Sequence, residues 1–182
     1  MQIKDKHKYY LVGMAGAGKS TIGLGAAVKL KMSFFDMDTE VVKRAGKSIS
    51  KIIKEQGEEK FRDLEKETLE DLITQKGTAL IATGGGTPVY KNNMQKLKES
   101  GTVIWLHTPI DVLIDRLKES SDDRPLIKAA LDDKFVENVK NMYNSRLPFY
   151  EQADIKIENV GYDDEIIDHL IHVIKDSNHT PE

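Results

Sequence analysis

Short apolar runs alternate along the chain with longer stretches in which apolar residues recur every three or four positions. Tyr9 to Val12, Ser33 to Phe35, Thr78 to Ala82, Thr102 to Leu106 and Asp154 to Ile157 read as strands. Between and after them, Thr21 to about Lys31, Asn92 to Lys98, Asp111 to Lys118, Leu131 to Arg146 and Asp164 to Ile174 read as helices. Gly101 stops the second of these, and Pro148 requires the fourth to end close by. Ser48 caps a further short helix over Ile49 to Lys54, which Gly57 interrupts before a longer one. On that longer helix Phe61, Leu64, Thr68, Leu69 and Leu72 fall on one face. Such alternation predicts a parallel sheet covered by helices on both faces. One segment breaks the periodicity: Ser120 to Pro125 is polar and carries a proline, which makes it the candidate for a mobile lid. The chain ends in a polar tail, Asp176 to Glu182, and shows no internal repeat or linker, so a single domain over residues 1–182 is expected.

The chemistry-bearing residues gather at the strand ends. Between the first strand and the first helix stands Gly13-Met14-Ala15-Gly16-Ala17-Gly18-Lys19-Ser20, with the G-x-x-x-x-G-K-S spacing of a phosphate-binding P-loop. A di- or triphosphate has to be wrapped by backbone N–H groups, which glycine-rich backbone can bring close, and the following helix adds the positive end of its dipole. Lys19 is then placed to reach the β- and γ-phosphates, and the Ser20 hydroxyl to ligate magnesium. In an open parallel sheet ligands collect at the carboxyl ends of strands, which puts Asp36 and Asp38 at the same edge as the P-loop. Thr83-Gly84-Gly85-Gly86 ends the third strand; three glycines there imply that another molecule approaches the backbone closely, with a flexible turn as the alternative. Arg62 and Glu65 lie three apart on their helix, which on spacing alone reads as an exposed ion pair worth a few tenths of a kcal/mol. Gly23 and Gly25 weaken the first helix, for which close packing on the sheet is the expected reason. His169 and His172 share a helix face with no third ligand near, the pattern of an amphipathic surface.

Composition narrows the classes further. At 182 residues the chain accommodates one α/β domain with a substantial core. Lys and Arg number 27 against 30 Asp and Glu, a balance that gives no reason to expect nucleic acid or an anionic membrane as partner. The absence of cysteine excludes disulfides, thiolate metal sites and a thiol nucleophile. No apolar run approaches the ~20 residues of a membrane span, so a soluble, cytoplasmic protein is expected.

An ordered set of motifs resembles the shikimate kinases, from about Tyr9 to the last helix. Its members are the P-loop, Asp36-Met37-Asp38, Gly57-Glu58 with Phe61-Arg62 and Glu65, Thr83 to Gly86, Arg124-Pro125-Leu126, and Arg146-Leu147-Pro148-Phe149-Tyr150. The resemblance implies an α/β three-layer P-loop kinase fold of the nucleoside-monophosphate-kinase type. Five parallel strands would run in the order 2-3-1-4-5 with helices on both faces, a substrate-binding region around 38–65 and a mobile lid around 119–128. It further implies transfer of the γ-phosphoryl of ATP to the 3-hydroxyl of shikimate, with one Mg2+ ion, in the route to chorismate and the aromatic amino acids, by a monomer. By the same resemblance Gly16, Ala17, Gly18, Lys19, Ser20 and Thr21 cradle ATP, with Arg116 near the nucleotide. Ser20 and Asp36 attend the metal, Asp36 through water. Asp38 accepts from the substrate hydroxyls and is the candidate base, Arg62 and Arg146 hold the carboxylate, Gly85 offers its N–H, and Arg124 comes from the lid onto the phosphates. Many members place an arginine against the adenine after the fifth strand, whereas Glu158-Asn159-Val160-Gly161-Tyr162 has none. The nearest rival is another small-molecule kinase, gluconate-kinase-like, against which Arg62, the triple glycine and Arg146 speak. A non-catalytic shikimate-binding module is disfavoured because Lys19, Asp38, Arg62 and Arg146 are all present.

Overall fold

The computed structural model describes residues 7–119 and 134–177. Five strands, β1 (Lys8–Val12), β2 (Ser33–Asp36), β3 (Ala79–Ala82), β4 (Gly101–His107) and β5 (Ile155–Glu158), form one sheet in the order β2-β3-β1-β4-β5. Every neighbouring pair is parallel, as the alternating pattern and the resemblance predict. Among the described residues seven α-helices connect and cover the strands: α1 (Lys19–Leu30), α2 (Met37–Ala45), α3 (Ile49–Thr74), α4 (Asn93–Ser100), α5 (Ile110–Glu119), α6 (Phe135–Tyr150) and α7 (Asp163–Asp176). The expected lid with Asp122, Asp123 and Arg124 lies outside the described residues, as do Leu131, where the fourth helix was expected to start, and the end of the tail.

β1 is central and buried along its whole length, because its alternate side chains serve two cores. Tyr10 and Val12 join Met37, Leu69, Leu97, Trp105 and Tyr150 on one face of the sheet. Tyr9 and Leu11 join Ile22, Ala26, Ile104, Ile157 and Leu170 on the other. Full burial of one such aliphatic side chain contributes ~1.5–3 kcal/mol. An exposed ion pair such as Lys29–Asp168, at 2.9 Å with both side chains about half exposed, adds under ~1 kcal/mol. The apolar contact, not the bridge, therefore fixes α1 against α7. The two helix glycines divide the work expected of both. A Cβ on Gly23 would stand 2.7 Å from the Phe34 ring and 3.0 Å from Leu11, so that residue does lie on the sheet. One on Gly25 would meet Ile167 Cδ1 at 2.5 Å, so it is α7 that needs the space there.

Two departures from the sequence reading bear on function. The first is α2, which was not expected; the Asp36-Met37-Asp38 triplet had read as the end of a strand. Asp36 is its N-cap and accepts from Thr39 N at 3.2 Å, Met37 and Val41 are buried one turn apart, and Gly46 ends it at φ 63°. Asp38 therefore sits in the first turn of a helix, where the dipole favours its negative charge. The second is α6, which passes through Pro148 to Tyr150 instead of stopping before it. A proline in a last turn removes a single backbone bond, and the buried Tyr150 anchors that turn, its hydroxyl donating to Gly85 O at 2.7 Å.

Candidate active site

A cavity of about 390 Å3 opens at the carboxyl edge of the sheet and is lined from four directions. The P-loop contributes Gly16, Gly18, Lys19, Ser20 and Thr21; the end of β2 and start of α2 contribute Asp36 and Asp38; α3 contributes Arg62 and Glu65; the glycine loop, α5 and α6 contribute Gly85, Arg116 and Arg146. Every described residue expected at the site thus lines one cavity, apart from Ala17, which is buried behind the loop. Arg124 lies outside the described residues.

The P-loop holds its shape through two left-handed glycines, Gly16 at φ 83° and Gly18 at φ 82°, the latter the N-cap of α1. Lys19 is buried and its ammonium donates to Gly13 O at 2.9 Å and Met14 O at 2.7 Å. Arg116 reaches Gly16 O at 3.4 Å. Ser20 is exposed and its hydroxyl donates to Asp36 Oδ2, which gathers two hard oxygen donors at the loop's mouth.

Across the cavity the Arg62–Glu65 pair is not the exposed bridge that its spacing suggested. The Arg62 side chain is 12% exposed and that of Glu65 2%. Arg62 Nη1 donates to Glu65 and Nη2 to Glu58 at 3.0 Å, while Thr87 Oγ1 donates to the other Glu65 oxygen at 2.9 Å. Burial pushes the Glu65 carboxyl above the usual carboxylate range, with Arg62 and Thr87 pulling the other way and Asp38 adding to the rise. For Arg62 burial works against the charge but is outweighed by Glu65 and Glu58, so the guanidinium holds its proton more tightly than usual. Arg62 is thus fully charged, and it is the main influence, with Thr87 beside it, that opposes the effect of burial on Glu65.

The triple glycine explains why the pair is buried. None of the three has a positive φ, so what they supply is space. A Cβ on Gly84 would collide with Glu65; one on Gly85 would stand 3.0 Å from Ala15 N and 3.1 Å from Arg146 Nη1; one on Gly86 would stand 2.7 Å from Arg62 Cζ. The close approach inferred from sequence is therefore made, in the protein itself, by the side chains of the site. Tyr150, its hydroxyl pushed up to about 12 by burial, ties the same loop to α6 one turn beyond Arg146. Thr87 was missed, and Glu65 and Tyr150, although within the quoted motifs, were given no role at the site, since the spacing of an acid or hydroxyl does not tell that it supports an arginine or a loop. His169 and His172 are exposed on α7.

A parallel 2-3-1-4-5 sheet with a P-loop after β1, facing acids from β2–α2 and arginines from α3 and α6, defines the class of small P-loop phosphotransferases. A solved gluconokinase from Sinorhizobium meliloti shares that fold, with a TM-score of 0.64 at 14% identity over 95% of this chain and 94% of its own. The chain belongs to the shikimate kinase family, whose family model matches residues 15–175. The shikimate kinase of Persephonella marina is 44% identical over 152 residues, 84% of this chain and 88% of its own. A structure of shikimate kinase from Acinetobacter baumannii in complex with shikimate superposes with a TM-score of 0.86 at 30% identity, covering 96% of each chain. Among the described residues no helix is long and apolar enough to cross a membrane.

Proposed function

We propose that the protein transfers the γ-phosphoryl group of ATP to the 3-hydroxyl of shikimate. The observation that carries this reading is the pair of guanidinium groups, Arg62 and Arg146, lining the same cavity as the P-loop and packed against adjacent members, Gly86 and Gly85, of one glycine triplet. A small carboxylated polyol offers little apolar area, so its binder needs charge-assisted, directional bonds, which two arginine forks provide. Membership of the shikimate kinase family supports the same assignment. A coupled assay with ATP, Mg2+ and a panel of shikimate, gluconate and nucleoside monophosphates tests it; turnover confined to shikimate is expected, and turnover of another acceptor in its place overturns it.

The roles follow from the chemistry of each group. Gly16, Gly18 and the start of α1 present N–H groups and a positive dipole end to the phosphates. Lys19 leaves its loop carbonyls to neutralise β- and γ-oxygens, and Arg116 stands beside the loop for the rest of the nucleotide. Ser20 and Asp36, oxygen donors already in contact, fit a magnesium ion, which when bound neutralises phosphate charge. Arg62, Arg146 and the Gly85 N–H hold the acceptor. Asp38, exposed at the head of α2, orients the attacking hydroxyl and takes its proton, a contribution kept modest by a loose transition state in which that proton departs late. Arg124 adds positive charge at the transferring group.

Two expected results probe the acceptor side. Arg146→Ala should weaken shikimate binding by roughly 1.5–3 kcal/mol, the usual worth of a hydrogen bond to a charged group, with ATP affinity almost unchanged. Isothermal titration with shikimate and an analogue lacking the carboxylate checks it; equal affinity of wild type for both would remove the clamp. Gly86→Ala should fold but melt below wild type, since the added methyl stands within 3 Å of the Arg62 guanidinium and pushes it off its buried partner Glu65. The displaced guanidinium should raise KM for shikimate about tenfold, one charge-assisted bond's worth, and that for ATP by less than about twofold. Parallel rises in both constants would count against it.

A further inference from the structure

The P-loop's carbonyl oxygens are all potential liabilities, because any that turned into the cavity would repel a phosphate. In this chain three side chains hold four of them. Gly13 O and Met14 O accept from Lys19, Gly16 O from Arg116, and Ala17 O from a residue that takes no part in the cavity, Asn159. Asn159 follows the last residue of β5, is 1% exposed, and donates from Nδ2 to Ala17 O at 2.9 Å and to Thr108 Oγ1 at 3.2 Å. Its backbone N–H is fixed as well, on His107 O at 2.7 Å. The orientation of the carboxamide is set by chemistry: a backbone carbonyl can only accept, so nitrogen must face Ala17.

We propose that Asn159 is a positioning residue for nucleotide binding, which locks the Ala17–Gly18 peptide so that the Gly18 N–H points at the phosphates. The peptide is planar and trans, so its C=O and N–H point in opposite directions. Holding Ala17 O toward the buried carboxamide therefore aims Gly18 N–H the other way, toward the cavity that Gly18 lines. Nothing local enforces this. Gly18 has φ 82°, and a peptide flip would carry it to a negative φ of similar size, which glycine adopts as readily. The peptides on either side are held by backbone bonds, Ala17 N to Met14 O at 3.2 Å and Ile22 N to Gly18 O at 2.9 Å. Among the described residues Thr108 Oγ1 is the other side-chain donor to Ala17 O, at 3.5 Å, the limit of a hydrogen bond. Lys19 has to leave its carbonyls to reach a phosphate, whereas Asn159, behind the loop, keeps its hold throughout. A second observation marks the carboxamide as a functional choice: its Oδ1 is buried with no hydrogen-bond partner, a destabilising feature that an apolar side chain would avoid.

The inference rests on the reading that the loop takes ATP, and the test separates the two. ADP with Mg2+ and, separately, shikimate are titrated into wild type, Asn159→Leu and Asn159→Asp, each also melted. Leucine keeps the branching, with bulkier methyl ends, and removes both donor and orphaned acceptor; aspartate keeps the shape and sets an acceptor against Ala17 O. Loss of one aimed N–H to a charged oxygen should weaken ADP binding about ten- to a hundredfold in both variants. Shikimate affinity should stay within about twofold, and Asn159→Leu should melt within a few degrees of wild type. ADP affinity within about twofold of wild type in either folded variant overturns the proposal. So does a joint loss of ADP and shikimate binding with melting temperature, or failure of both variants to fold, since Asn159 would then be a fastener of the core. A wild-type protein that binds no ADP overturns the nucleotide reading itself.

Discussion

Replacing Lys19 with alanine should cut turnover by about 10³-fold while the sheet and its helices stay folded. The lysine is 8% exposed, yet its ammonium is satisfied by two carbonyls of its own loop, not by the core. Preorganised charge aimed at a transferring phosphoryl group is where such enzymes gain most of their rate, and removal of one such donor costs ~10²–10³ in turnover. The structural loss is smaller. Met14 O keeps the Ala17 N–H, and Gly16 and Ala17 keep their ties to Arg116 and Asn159, so a fall of only a few degrees in Tm is expected. Circular dichroism and melting beside the coupled assay decide the matter. A folded Lys19→Ala enzyme within tenfold of wild-type turnover would show that the ammonium serves the loop's shape alone.

Arg62→Ala should damage the protein twice. Loss of the carboxylate clamp weakens shikimate binding by roughly 1.5–3 kcal/mol. The buried position adds a stability loss of roughly 3–5 kcal/mol, the usual consequence of leaving one member of a buried pair without the other. Glu65 would respond by holding a proton. Burial already raises its pKa, and Arg62 is the main influence pulling it down, so without the arginine the folded-state pKa climbs further above the unfolded value. The folded protein then binds more protons than the unfolded one above the ordinary carboxylate range, so stability falls as pH rises through that window. The variant should therefore melt closest to wild type near pH ~5 and lose ground toward pH ~8. Denaturant titrations across that range measure it; a constant gap between the two proteins would mean that Glu65 is not the group left behind. Arg62→Ala/Glu65→Leu should recover most of the stability and none of the shikimate affinity.

The difference between Arg146 and Arg62 shows where sequence reading stops. Both were placed by motif, and both line the cavity. Only the packing of Gly84 and Thr87 on Glu65 reveals that one of them is half of a buried pair, because spacing along a helix reports which residues are neighbours and not what covers them. The same limit hid α2. Its apolar residues Met37 and Val41 make a short pattern, and the Asp36 cap was read for its chemistry instead of its hydrogen bond to Thr39. Pro148 misled in the opposite direction, since a proline near a helix end costs one bond that a well-anchored last turn withstands.

The alternation of strands and helices, the P-loop and its partner motifs, and with them the family, were legible without coordinates, because each depends on local periodicity or on residue types at fixed spacing. Only the tertiary structure decided that the glycine triplet makes room for Glu65, Arg62 and Arg146, and that Asn159, 142 residues from Ala17, holds the P-loop from behind. Those are contacts between segments far apart in the chain, whose burial and direction are set by how the layers pack, and no local pattern encodes them.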